Sequence, residues 1–160
     1  MTQPNFNQST REELAAMRLG IRVDKAATDV SGISTKSLFN VKVGNCVITG
    51  LIGESTTGHA AGANNAKYTS NPTAAGTTTD LCATADIASE ELGGLMYITG
   101  SFAGAMVALA TGAGAAVMMT NPILVVPGVI GFSTDADKDN TNKFSVWYAP
   151  ADDGAYIEAA

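Results

Sequence analysis

Forty-three consecutive residues, Leu92 to Thr134, carry no charged side chain. A run of that length is usually kept from water, in a bilayer, between packed strands or against another subunit. Its inner part, Ser101–Met119, spans nineteen residues, close to the length of a transmembrane helix. The composition argues against a span. Ala and Gly dominate and add little transfer energy, and the bulky residues reduce to Phe102, Met106, Val107, Leu109, Val117, Met118 and Met119. The upstream flank carries Glu90 and Glu91, and no Lys or Arg lies nearby to set an orientation. Gly100-x-x-x-Gly104 matches a membrane dimer motif only as a weak pattern. The expectation is therefore no membrane, but short strands separated by glycine turns, packed in a sandwich or against another subunit.

The rest of the chain supports strands. In Lys143–Ala160, Phe144, Val146 and Tyr148 share one face of an extended segment, and Ser145, Trp147 and Ala149 share the other. The first set is expected to face the core and Trp147 the opposite side. Pro150 stops the ladder, and Asp153-Gly154 is turn chemistry. Phe39, Val41 and Val43 alternate with Leu38, Asn40 and Lys42, and Cys46–Ile52 is an apolar run suited to a central strand. Further strands are expected at Lys67–Ser70, Thr77–Ala83, Leu95–Thr99, Ile123–Val126 and Val129–Ser133, with one helical turn or a loop at Asp86–Leu92. The predicted class is all-β: a β-sandwich or jelly-roll-like barrel of about eight to ten short strands.

The first 36 residues read differently. Ser9-Thr-Arg-Glu12, or Thr10-x-x-Glu13, forms a capping box, and Gly20 is a natural helix stop. Leu14 and Met17 lie three apart on one face, so this short helix needs a surface to lie on. Ile21–Lys36 reads as an extended connector. The division is an N-terminal arm over 1–36 and a β domain over 37–160. Residues 1–43 carry six basic and four acidic side chains, whereas 44–160 carry three basic and eleven acidic. An acidic body disfavours nucleic acid. The N-terminus lacks a basic stretch followed by an apolar one, so a secretory signal is not expected. Cys46 and Cys82 are expected to be two buried free thiols.

The chemistry on offer is sparse. Asp135-x-Asp137-x-Asp139-Asn140 resembles the opening of a calcium loop, but Val146 stands where a bidentate Glu is needed. An acidic hairpin loop is the expectation. His59 is the only histidine, and Gly53-Glu-Ser-Thr-Thr-Gly58 lacks the nucleophile-elbow spacing, so Ser55 and His59 do not form a recognisable triad. No phosphate loop or basic aromatic face is present. The sequence predicts no enzyme, no cofactor and no metal.

From about Thr35 to Ala160 the chain resembles a family of small virion structural proteins of tailed bacteriophages. The resemblance rests on Leu38-Phe39, Gly50-Leu-Ile-Gly-Glu-Ser-Thr-Thr57, Asn71-Pro72, Thr79-Asp-Leu-Cys-Ala83, Tyr97-Ile-Thr-Gly100 and Trp147-Tyr-Ala-Pro-Ala-Asp-Asp-Gly-Ala155. These occur in matching order over roughly three-quarters of the chain. The tail departs from the pattern, with bulkier Ala-Tyr-Ile-Glu before the last Ala pair. The resemblance implies a capsid decoration, or cement, protein: assembled in the host cytoplasm, sitting on the capsid surface and bound to the major capsid protein as a homotrimer. Arg11, Leu14, Met17, Arg18, Arg22 and Lys25 would form the capsid-binding arm. Trp147, Tyr156 and Ile157 would lie at the oligomer interface. The alternatives are a head-fibre base or tail subunit, and a carbohydrate- or host-surface-binding module with Tyr68, Trp147 or Tyr156 as stacking platforms.

Overall fold

The computed structural model describes residues 19–59, 61–74, 76–88, 90–109 and 114–160. The expected helix and the arm residues Arg11, Leu14, Met17 and Arg18 lie outside them. Among the described residues there are twelve strands, more than the eight to ten expected. They are β1 (Ile21–Asp29), β2 (Thr35–Lys42), β3 (Cys46–Ser55), β4 (Asn65–Pro72), β5 (Thr79–Asp80) and β6 (Ala85–Asp86). Then follow β7 (Leu95–Tyr97), β8 (Val107–Leu109), β9 (Ile123–Val125), β10 (Gly128–Thr134), β11 (Thr141–Pro150) and β12 (Tyr156–Ala159).

Two antiparallel sheets result. One runs β1-β11-β3-β7-β8, with β9 also on β3; the other runs β12-β2-β10-β4-β5, with β6 also on β4. The pairing is nested: β1 with β11, β2 with β10, β3 with β9, β4 with β5. A ribbon doubled back on itself and then wound up puts β11 beside β3 and β10 beside β4, as observed. Period-two alternation makes this a sandwich, because each sheet has one apolar face to cover. Tyr68 on β4 and Phe132 on β10 meet Phe144 on β11 across the core, at ring separations of 6.3 and 5.3 Å. The Tyr68 hydroxyl donates to the Met96 carbonyl at 3.0 Å, linking the two sheets with a polar bond inside the core.

Phe144, Val146 and Tyr148 are buried as expected, and Trp147 faces the other way, half-buried. Cys46 and Cys82 are buried free thiols, and burial pushes both thiols up in pKa. Two expectations are corrected. Ile21–Asp29 is no loose connector but an edge strand paired with β11 from Ile21↔Tyr148 to Asp29↔Thr141. A register shift between Lys25 and Thr28 breaks its alternation, which is why the sequence hides it. On β2, Leu38 and Phe39 are both fully buried, because the register shifts so that Ile130 pairs Phe39 and Gly131 pairs Ser37. Leu38 is the extra residue of a bulge, and Val43, expected on the Phe39 face, is 72% exposed in the following turn.

Candidate interaction surface

The chain enters the described structure on the outer face of the first sheet. Between β11 and β3 the register jumps from Trp147↔Gly50 to Tyr148↔Ile48, leaving Thr49 unpaired. The freed Thr49 hydroxyl donates to the Leu19 carbonyl. Gly20 follows with φ +90°, and a Cβ there would collide with the Tyr148 carbonyl. Only glycine fits, so Leu19 and Gly20 are pinned where the outer face begins.

That face is organised by side chains at outward positions. Arg22 pairs with Trp147 and Asp24 with Ser145 across β1 and β11. The Arg22 guanidinium lies 5.1 Å from the centre of the Trp147 ring, donates from Nε to Asp24 Oδ1 at 2.8 Å and from Nη2 to Ser145 Oγ at 3.3 Å. Ser145 Oγ donates in turn to Asp24 Oδ1 at 2.5 Å. Burial pushes the Asp24 carboxyl up, but hydrogen bonds from Ser145 and Arg22, with the Arg22 charge, outweigh it and hold the group below its ordinary range. Lys143 bridges to Glu54 at 2.9 Å on the neighbouring strand. Exposed pairs of this kind are each worth about 0.2–1 kcal/mol, so they shape the surface more than they stabilise the fold. Together with Ile52, Leu95 and Met118, these side chains line an open groove of about 660 Å³.

Of the residues expected to make contacts, Arg22 and Trp147 therefore meet on one face, and Lys25 borders the same groove. The Lys25 ammonium also donates to the Ala160 carbonyl, tying β1 to the chain end beyond β12. Tyr156 is 41% exposed. Ile157, expected at an oligomer interface, is instead buried in the chain's own core opposite Val41. Tyr68, a candidate stacking platform, is also fully buried. Sequence reasoning missed the apolar cleft of Phe102, Leu124, Val126 and Pro72. Its signal is the alternation of Ile123 in, Leu124 out and Val125 in.

The remaining polar candidates are structural in their contacts. His59 Nδ1 lies 3.0 Å from the Ile87 carbonyl and Nε2 lies 3.0 Å from Asn142 Oδ1. Its backbone N–H donates to the Glu90 carbonyl at 2.8 Å, so the ring clips two loops to β11. The Ser55 hydroxyl is turned to the Thr57 carbonyl rather than to His59. Glu90 is buried, and burial pushes its carboxyl up to about 7. Asp135 accepts from Asn65 N at 2.7 Å and Asn65 Nδ2 at 2.8 Å, which spends its carboxylate on joining the start of β4 to the end of its neighbour β10. Among the described residues, no three His, Cys, Asp or Glu side chains converge on a metal position, and no helix is long and apolar enough to cross a membrane. The Gly100/Gly104 pattern is a loop in which Gly104 N donates to the Ser101 carbonyl at 3.1 Å. Compared with known proteins, the chain matches no family model, no curated protein and no solved structure.

Proposed function

We propose that this chain is a non-enzymatic structural protein of a tailed-bacteriophage virion, a decoration protein that binds the outer surface of the major capsid protein lattice. The observation that carries this reading is the continuity of the chain entry with the grooved face. Leu19 and Gly20 are pinned beside Trp147 and Arg22, so a segment bearing Arg11, Leu14, Met17 and Arg18 starts at the surface it would extend. An arm and a sheet face of nearly balanced charge then make one contact area, suited to bridging neighbouring subunits of a shell. The helix expected in that arm supplies its apolar anchor, and Arg11, Arg18, Arg22 and Lys25 face acidic capsid surface. The nested strand order is that of a jelly roll, a winding used by viral capsid and lectin domains, which supports the setting but not by itself the role. Three copies associate along the side formed by β1 and β12, the terminal strands of their sheets, where Tyr156 is exposed. The Arg22 guanidinium over Trp147 speaks against a sugar-stacking role for that ring.

The test is removal of residues 1–18, which leaves β1 intact, followed by co-sedimentation with undecorated capsids. Binding should be lost while the near-ultraviolet circular dichroism and the melting temperature stay as in the full chain, the far-ultraviolet spectrum losing only the helical signal of the arm. Undiminished binding would sink the arm. If charge carries the contact, binding of the full chain should weaken as salt rises from about 0.01 to 1 M, because the screening length shrinks from about 30 to 3 Å. Labelling on intact particles separates the capsid reading from a fibre or tail position.

A further inference from the structure

The acidic loop before β11 meets a carboxylate that lies far from it in sequence. Asp29 ends β1, Thr57 follows β3, and Asp139, Asn140 and Thr141 lead into β11; all of them line one cleft of about 300 Å³ at an end of the sandwich. Asn140 is the decisive residue. It is 2% exposed, its backbone carbonyl accepts from Val30 N at 2.9 Å, and neither its amide oxygen nor its amide nitrogen has a partner among the described residues. Leaving a buried amide unpaired costs about 1–3 kcal/mol. A cation at this cleft would take the amide oxygen as a ligand and relieve the oxygen's part of that cost, leaving the amide nitrogen as it is.

The charges choose its sign. Asp29 and Asp139 both border the cleft, and no basic side chain lines it. Lys138, the one cation in the preceding loop, is turned away to the Ala61 carbonyl at 3.2 Å. Asp29 Oδ1 accepts from Ser31 N at 2.8 Å and from the Ser31 hydroxyl, and those bonds hold its carboxyl below the ordinary range and therefore ionised at neutral pH. The donors are all hard oxygens on three separate segments, a set that suits the flexible coordination of calcium better than the strict octahedron of magnesium.

We propose that this cleft binds one calcium ion through Asp29, Asp139 and the amide oxygen of Asn140, with hydroxyl, carbonyl or water oxygens completing the shell. The ion stitches the end of edge strand β1 to the β3–β4 loop and to the start of β11. The assignment stands apart from the capsid reading and survives its failure. Two carboxylates make a weak site, in the range of about 10⁻⁴–10⁻³ M that low charge counts give.

The experiment titrates CaCl₂ into the EDTA-treated, desalted full chain by calorimetry and follows the melting temperature in parallel. One saturable site per chain is expected, with MgCl₂ binding more weakly. Asp139→Asn and Asp29→Asn should each weaken calcium by about tenfold or more, since ligand charge tunes affinity. Asp153→Asn, in the turn before β12, should bind as the unmodified chain does. Asn140→Asp guards against a loss caused by misfolding. It should melt lower in EDTA, where a further carboxylate is buried unpaired, and gain more from calcium than the unmodified chain. No heat and no melting shift up to about 10 mM CaCl₂, an order above the expected range, would overturn the proposal. So would Asp29→Asn and Asp139→Asn variants that bind as tightly as the original, or an Asn140→Asp variant that gains nothing.

Discussion

Two regions of the sandwich are built by different means. The frame consists of β1–β4, β10 and β11, strands of seven to ten residues that pair over most of their length. The stretch between β4 and β10 contributes β5–β9, of two or three residues each. In the frame, side chains do the holding: Phe39, Leu51, Tyr68, Ile130, Phe132 and Phe144 interdigitate in a dry core. In the middle stretch, backbone does much of it. Ala83 and Ala105 form an isolated parallel bridge, Met106 N donates to Ala83 O at 3.1 Å, and Thr120 N and Asn121 N both donate to Thr99 O, at 3.1 and 3.3 Å. The described part of the uncharged run packs inside the sandwich, with Met96, Ile98, Met106, Ile123 and Val125 in the core and backbone bonds where its small residues let chain lie on chain. The lesson is that low charge can mark close backbone packing as readily as a greasy segment.

If the frame is held by its core, the largest loss should come from emptying that core. Phe132 is fully buried and contacts the rings of both Tyr68 and Phe144, at 5.1 and 5.3 Å. Phe132→Ala removes the middle ring of the Tyr68–Phe132–Phe144 cluster and leaves a cavity. The expected cost is about 3–5 kcal/mol, read from the shift of the urea midpoint at unchanged slope. A loss below about 1 kcal/mol would mean that the frame is not core-held.

The frame is also the part that the sequence discloses, and for the same reason. Period-two alternation is the visible trace of a sheet with one wet and one dry face, so Phe144, Val146 and Tyr148, and the central strand from Cys46, can be read directly. Alternation fails where a bulge intervenes, as at Leu38, or where both edges of the pattern are exposed, as along β1. It also fails in the middle stretch, where a strand such as Thr79–Asp80 is too short to show a period at all. The interaction face was half legible. Trp147 could be assigned to the outer side by counting, but its partner Arg22 could not, because nothing local indicates that β1 lies beside β11. The cleft of Asp29 and Asn140 is wholly non-local, and the acidic loop alone points to the wrong carboxylates.

A second prediction tests whether the middle stretch carries an electrostatic burden that the frame does not. Glu90, just before β7, is 2% exposed and its carboxyl is raised from 4.5 to about 7 by burial. Because the folded pKa lies above the unfolded one, the group costs nothing below about pH 4.5, where it is protonated in both states. The cost grows as pH rises from 4.5 and is complete above about 7. The full cost is on the order of 3 kcal/mol. Glu90→Gln keeps the shape and removes the charge. Measured by urea unfolding at pH 5 and pH 8, the variant should gain on the parent as pH rises, by up to that amount. A constant difference between the two proteins at both pH values would remove Glu90 from the account.

The smallest effect distinguishes strain from contact within the middle stretch itself. Gly93 and Gly100 both adopt left-handed backbone, with φ +81° and +89°. A Cβ at Gly93 would meet nothing within 4 Å, whereas one at Gly100 would run into the backbone of Asn121, the residue two before β9. Gly93→Ala therefore bears only the left-handed penalty, about 1–2 kcal/mol. Gly100→Ala bears the same penalty and must also push the chain at Asn121 away, which threatens the two hydrogen bonds onto Thr99 O. Since one net backbone bond is worth about 0.5–1.5 kcal/mol, the Gly100 variant should lose about 1 kcal/mol more than the Gly93 variant. Amide exchange at Thr120 and Asn121 should quicken in the Gly100 variant alone. Equal losses, with exchange unchanged at both amides, would mean that the uncharged stretch is not held by close backbone contact, and the contrast between the two regions would have to be drawn elsewhere.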